Sequence, residues 1–144
     1  MPEFATLALL HAVPTLCLVG LIWFVQLVHY PLYPAVGATA FVGYEREHCR
    51  RITPLVLPLM VAELAAAVLL VLAAPSQPTR TMAWLGALLL AVVWASTFLL
   101  QVPCHRRLEQ HADGLAMRRL VRTNWLRTSA WTLRGALAVL LLRP

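Results

Sequence analysis

Four long apolar runs constrain this chain more than any other feature. They cover about residues 5–30, 54–74, 82–102 and 124–142. Each approaches or exceeds the roughly 20 residues that carry a helix across a bilayer core. Backbone N–H and C=O groups cannot stay unpaired in hydrocarbon, so a helix is the expected form of every run. Short connections and an even number of runs predict an all-α fold: a polytopic membrane four-helix bundle, with residues 1–144 as one domain. The chain is 60% hydrophobic and only 12% charged. That is more apolar surface than a soluble domain of this size can bury, and the excess is expected to face the lipid bilayer.

The charges fall between the runs. There is no lysine, and the net charge is +6. The arginines gather at the ends of apolar segments, a pattern of membrane orientation, so no nucleic-acid partner is expected. "PSQPTR", residues 75–80, reads as a minimal turn, whereas the links 31–53 and 103–123 are long and arginine-rich. An even count of spans puts both long links on one side. They carry Arg46, Arg50, Arg51, Arg106, Arg107, Arg118, Arg119 and Arg122, against Arg80 and Arg143 on the other side. The positive-inside rule then places both long links in the cytoplasm and both termini outside, in a bacterial inner membrane. The start, "MPEF", has an acidic residue and no basic region. The first run is therefore expected to be a retained span rather than a signal peptide.

The first long link reads as a turn, "YPLYPAVG", followed by a short interfacial helix from about Thr39 to Arg51 with Phe41, Tyr44 and His48 on one face. Thr53 and Pro54 form an N-cap and N1 pair that would start the second span, and Pro58 would kink it one turn later. The second long link is expected to become helical from about Asp113 and run into the fourth span, because "LAMRRLVRTNWLRT" holds no breaker.

Ionisable groups inside the runs are the candidate functional residues. Glu63 and Arg134 each lie about ten residues from the arginine-rich end, or roughly 15 Å at 1.5 Å per residue. A lone charge at that depth is costly, so a buried pair is expected. It either locks helix register or forms a polar floor, with Glu63 as counter-ion or proton carrier. Nearer the arginine-rich end, polar residues recur at helical spacing: Gln26 with His29, Glu45 with His48, Gln101 with His105, and Arg127, Trp131 and Arg134 below Asn124. Residues three or four apart share a helical face. If these faces turn inward they form a pocket at the cytoplasmic end.

Three imidazoles (His29, His48, His105) and one carboxylate (Glu45) match the ligand set of a mononuclear zinc, copper or iron site. A di-iron site would need a second E-x-x-H motif and two more glutamates, and only Glu63 is spare. One E-x-x-H arises readily by chance; the weight comes from three histidines expected at one level. His11 and His111 lie elsewhere and are left out. Three cysteines suggest no disulfide framework. Cys17 reads as a small hydrophobe. Cys49 and Cys104 read as bystanders, because helix neighbours diverge by about 100° and each would point away from its adjacent histidine. A heme held by His29 and His105 is a less favoured arrangement, since both lie near water. Arg127 and Arg134 could donate charge-assisted hydrogen bonds to an anionic or quinone-like carbonyl oxygen, with Trp125 and Trp131 lining the pocket.

The segments "FVQLVHYPLYPAVG", "YEREHCRRITPLVLPLMVAEL", "LQVPCHRRL" and "TNWLRTSAWTLRG" together resemble a group of small, uncharacterised bacterial four-span membrane proteins. More distantly the chain is similar to the anthrone-oxygenase-like membrane family. The resemblance spans most of the chain and is clearest at Val102-Pro103 followed by Arg107-Leu108, and at Trp125 with Arg127-Thr128. His105 stands near the place where the distant family has asparagine. The resemblance implies a four-helix membrane bundle and an oxidative reaction on an apolar, aromatic substrate. The expected function is a small metal-dependent membrane oxidoreductase acting on an apolar small molecule. The alternative is a non-catalytic membrane subunit, or a carrier working as a homo-oligomer.

Overall fold

The computed structural model describes residues 2–142 and is almost wholly helical. Helix α1 spans Pro2–Phe24 and continues through a π-type turn, Val25–His29, and a 3₁₀ segment, Tyr30–Val36. Helix α2 spans Ala38–Ala73, α3 spans Gln77–Ser96, and a second π-type turn, Thr97–Gln101, leads into the short α4, Val102–Leu108. Helix α5 spans Gly114–Leu141. Helix α1 packs on α2 and α5, and α3 packs on α5 and α2. Four helical rods therefore form a closed ring of neighbours. Their ends alternate. Ala8, Leu70, Ala83 and Leu141 cluster at one end. At the other, Arg46 Nε donates to the Glu109 carbonyl (2.9 Å), bringing the two arginine-rich regions together. Arg143, assigned to the opposite side, lies outside the described residues.

Three helical stretches, Glu3–Val36, Ala38–Ala73 and Gln77–Leu108, are long and apolar enough to cross a membrane. Helix α5 is long but carries too much polarity along its length to join them. Its polarity is turned inward: Asn124, Arg127, Thr128 and Arg134 are buried, while Leu126 and Leu133 are exposed. The same inversion holds elsewhere, with Leu72 75% and Leu99 70% exposed but Glu45 and Glu63 fully enclosed. A protein with a polar interior and a leucine exterior is arranged for a hydrocarbon solvent, not for water.

The structure corrects one local expectation. Residues 39–51 do not form a separate interfacial helix, and Thr53-Pro54 does not begin a new one. Helix α2 is continuous for 36 residues, with Pro54 and Pro58 inside it. A proline removes one N–H and frees the carbonyl four residues earlier. For Pro54 that carbonyl belongs to Arg50, an exposed residue, where water can satisfy it. Packing of Phe41 and Glu45 above the prolines and Met60 and Glu63 below them holds both halves on one axis. The true break is Gly37, whose φ of 80° is open to glycine at little cost. Helix α5 begins where expected, with Asp113 as N-cap accepting from the N–H groups of Leu115 (2.8 Å) and Ala116 (3.2 Å).

Candidate functional site

Polar side chains meet inside the bundle at three depths, and each layer is built by α5 with its neighbours. The deepest layer surrounds Arg134, which is 1% exposed. Its Nε donates to Glu63 Oε1 (2.6 Å), its Nη1 to the Gly86 carbonyl, and its Nη2 to His11 Nε2 (2.8 Å). Glu63 also accepts from Trp131 Nε1 (3.1 Å) and from the Thr15 hydroxyl (2.9 Å). Glycine at 86 provides room, since a Cβ there would stand 3.3 Å from Arg134 Nη1. His11, set aside in the sequence, thus belongs to this layer. Arginine's length lets it reach a residue nearer the far end of α1. Donation from Arg134 makes His11 Nε2 the acceptor and leaves the proton on Nδ1.

The middle layer rests on the two π-type turns. In each, the N–H after the turn bonds the carbonyl five residues back: Tyr30 to Val25, and Val102 to Thr97. Each turn lies just before a proline, Pro31 or Pro103, that cannot donate to the ladder. The extra residue turns a glutamine inward in both. Gln26 accepts from Asn124 Nδ2 (2.9 Å) and donates to the Val121 carbonyl (3.3 Å). Gln101 accepts from Ser96 (2.9 Å) and donates to Thr123 (3.2 Å). Such π-turns recur at functional sites. The "HYP" and "QVP" prolines were their signal in the sequence.

The upper layer holds the metal-ligand candidates. Glu45 is fully buried, and its Oε1 lies 2.5 Å from His105 Nδ1. Cys49 Sγ is 3.7 Å from the same oxygen and 3.8 Å from the same nitrogen. Glu45, Cys49 and His105 therefore offer three ligand atoms within 4.8 Å of one another. Glu45 and Cys49 are one helical turn apart on α2, so they share a face. His48, adjacent to Cys49, points elsewhere. Its ring packs 4.3 Å from that of His29 and 5.8 Å from that of His105. Cys49, expected to be a bystander, stands in the position expected of His48. His48 thus packs against both other imidazoles. His29 Nδ1 faces the Tyr44 hydroxyl (3.4 Å), and Tyr30 OH bonds His105 Nε2 (3.0 Å). Three buried atoms here lack a well-formed hydrogen bond: Glu45 Oε2, His29 Nε2 and the Tyr33 hydroxyl, which stands near Glu45. Cys17 is exposed, as is Trp125 at 44%, and neither contributes to any layer.

Between the upper and deepest layers lies a cavity of about 290 Å³, just below the ~300 Å³ at which ligand pockets usually begin. His48, Tyr30 and His105 line its upper part, Arg127 and Trp131 its α5 wall, and aliphatic and aromatic side chains the remainder. Arg127 stands over the Trp131 ring, 5.1 Å from its centroid, and its buried Nε has no partner. Trp131 is the shared wall: its ring carries Arg127 and its indole N–H reaches Glu63. Comparison with family models, with curated proteins and with solved structures finds no match to this chain, so the chemistry of the site is read from its geometry.

Proposed function

We propose that this chain is a four-span protein of a bacterial inner membrane that holds a transition-metal ion beside its apolar cavity and acts as an oxidoreductase on an apolar substrate. The arginine-rich end faces the cytoplasm and both termini face outward. Helix α5 is the fourth span; its inward-turned arginines and outward-turned leucines support that reading. The observation that carries the metal is the Glu45 carboxylate. It is wholly buried, one of its oxygens lacks a well-formed hydrogen bond, and it lies against a histidine nitrogen and a thiol at ligand spacing. A mixed carboxylate, imidazole and thiol set suits zinc or copper, and iron less well. A bound ion would replace the proton shared by His105 Nδ1 and Glu45 and would supply redox or Lewis-acid chemistry at the cavity roof. His48 and His29 stand next in line, and Tyr30 orients His105 from its other nitrogen.

The test is elemental analysis of the protein purified in detergent. One transition-metal ion per chain, lost in Cys49→Ser and Glu45→Gln with helical content unchanged, is the expected result. Absence of metal in folded wild-type protein refutes the proposal. One observation favours a second reading. Both nitrogens of His105 already have protein partners, so Glu45 and His105 can act as a plain packing pair in a non-catalytic subunit or an oligomeric carrier.

A further inference from the structure

The bundle buries two arginines on one face of α5, and they are treated differently. Arg134 has a carboxylate, a carbonyl and an imidazole around it. Arg127 is 9% exposed and lines the cavity, yet no carboxylate pairs with it among the described residues. It stands against the face of Trp131, and its Nε is buried without an acceptor. A guanidinium cannot shed its proton to escape this. A cation–π contact returns less than burial of an unpaired charge costs.

We infer that the missing partner is the ligand: the cavity takes a small apolar molecule bearing one anionic oxygen head, and Arg127 holds that head by charge-assisted hydrogen bonds. The remaining wall fits the remainder of such a molecule. Leu18, Ile22, Val56, Met60, Trp94 and Phe98 enclose it without a second charge. The acids of the bundle interior are engaged elsewhere, Glu63 with Arg134 and Glu45 with His105, so neither can neutralise Arg127. The head and the metal-ligand cluster lie on different parts of one cavity, because His105 and His48 line it too. A molecule anchored on Arg127 would present its body to that end. This identification of a substrate class rests on the oxidoreductase proposal, but the binding itself does not require a metal.

The test uses 2-naphthoate and its neutral isostere 2-naphthamide, titrated calorimetrically into the full chain in lipid nanodiscs, with empty nanodiscs subtracted. Wild-type protein should bind the carboxylate at least ~10-fold more tightly than the amide, the scale expected of a charge-assisted pair in a dry site. Arg127→Met should erase the difference while amide binding persists, and Arg127→Lys should retain part of it. Val56→Trp, which fills the cavity, should abolish binding of both probes. Equal affinity of wild-type protein for the two probes, or a preference that survives in Arg127→Met, overturns the inference. Metal content measured on the same preparations separates the outcomes. Selective binding without metal leaves this site standing and removes the oxidoreductase reading. Metal without selective binding does the reverse.

Discussion

The Glu63–Arg134 pair allows a prediction with an unequal outcome for its two halves. Both side chains are fully enclosed; one hydrogen bond joins them to each other and four more tie them to α1, α3 and α5. Removing one partner of a buried pair leaves an uncompensated charge, at about 3–5 kcal/mol. The two single variants have different escapes. Arg134→Met strands a carboxylate that still accepts from Thr15 and Trp131 and can take up a proton to become neutral. Glu63→Gln strands a guanidinium that keeps Gly86 and His11 but cannot lose its charge. Glu63→Gln should therefore cost the full ~3–5 kcal/mol at every pH from about 5 to 8. Arg134→Met should cost less. The double variant Glu63→Gln/Arg134→Met should be more stable than the sum of the singles implies, with a coupling of about 2–3 kcal/mol.

The assay is reversible unfolding by dodecyl sulfate in mixed micelles, followed by circular dichroism and by tryptophan fluorescence, to which Trp131 reports directly. Additive single costs would refute the argument, because they would mean that the pair does not act as a unit. An Arg134→Met as costly as Glu63→Gln would refute the asymmetry alone and leave the pairing intact.

Other perturbations test the frame that positions the site. Gly135→Leu should destabilise the bundle by about 1–3 kcal/mol in the same assay, since even a Cβ at 135 meets Val19 Cγ2 of α1 at 3.0 Å. Gly37→Ala should cost about 1–3 kcal/mol, because Gly37 combines a φ of 80° with a ψ of 141°, a conformation that L side chains resist. The backbone N–H groups of Ala116 and Leu115, and then Arg107, hold the Asp113 carboxyl below its ordinary 3.8. A depressed carboxyl stabilises the fold above its unfolded value and loses that stabilisation as pH falls through the folded one. The protection factor at the first turn of α5, taken against the intrinsic exchange rate at each pH, should therefore fall below about pH 4 in wild-type protein and be low at all pH values in Asp113→Ala.

The broad form of this protein was legible in the sequence because solvent imposes it. An apolar run of span length has one way to satisfy its backbone, and the helices form accordingly. The meeting of Glu63 and Arg134 was legible for the same reason: opposite charges at matched depth have few other partners. Details set by tertiary packing were not. Thr53-Pro54 carries a strong local signal for a helix start, yet contacts on both sides carry α2 through it. His11 lies near the far end of α1, and only the reach of an arginine side chain brings it to the pair. Cys49 and His48 are sequence neighbours, and which of them turns toward Glu45 depends on where α2 faces α4, a rotation that spacing alone does not specify. The π-type turns shift the phase of α1 and α3 by a residue, so a 3.6-residue count drawn through them assigns the residues beyond to the wrong face.

Helix α5 shows why these features belong together. Charged residues near a helix centre weigh about 2.5–3.5 kcal/mol each against insertion, whereas a leucine returns only a fraction of one. Arg127 and Arg134 help make α5 the one long helix of the four that is not apolar enough by composition to count as a membrane span. Its partners must supply what lipid cannot, and they do so residue by residue. Helix α2 gives Glu63; α1 and the turn after it give His11, Thr15 and Gln26; α3 and the turn after it give the Gly86 carbonyl and Gln101. Polar residues in the first three helices that read as isolated oddities are thus the complement of one polar helix. That complement surrounds Arg134 on every donor-bearing nitrogen and reaches Asn124 and Thr123 above it. It stops at Arg127, on the wall of the cavity between the upper and deepest layers. A bundle that encloses one arginine of α5 with a carboxylate, a carbonyl and an imidazole, and leaves the other facing open space two turns away, has placed the second for something other than packing.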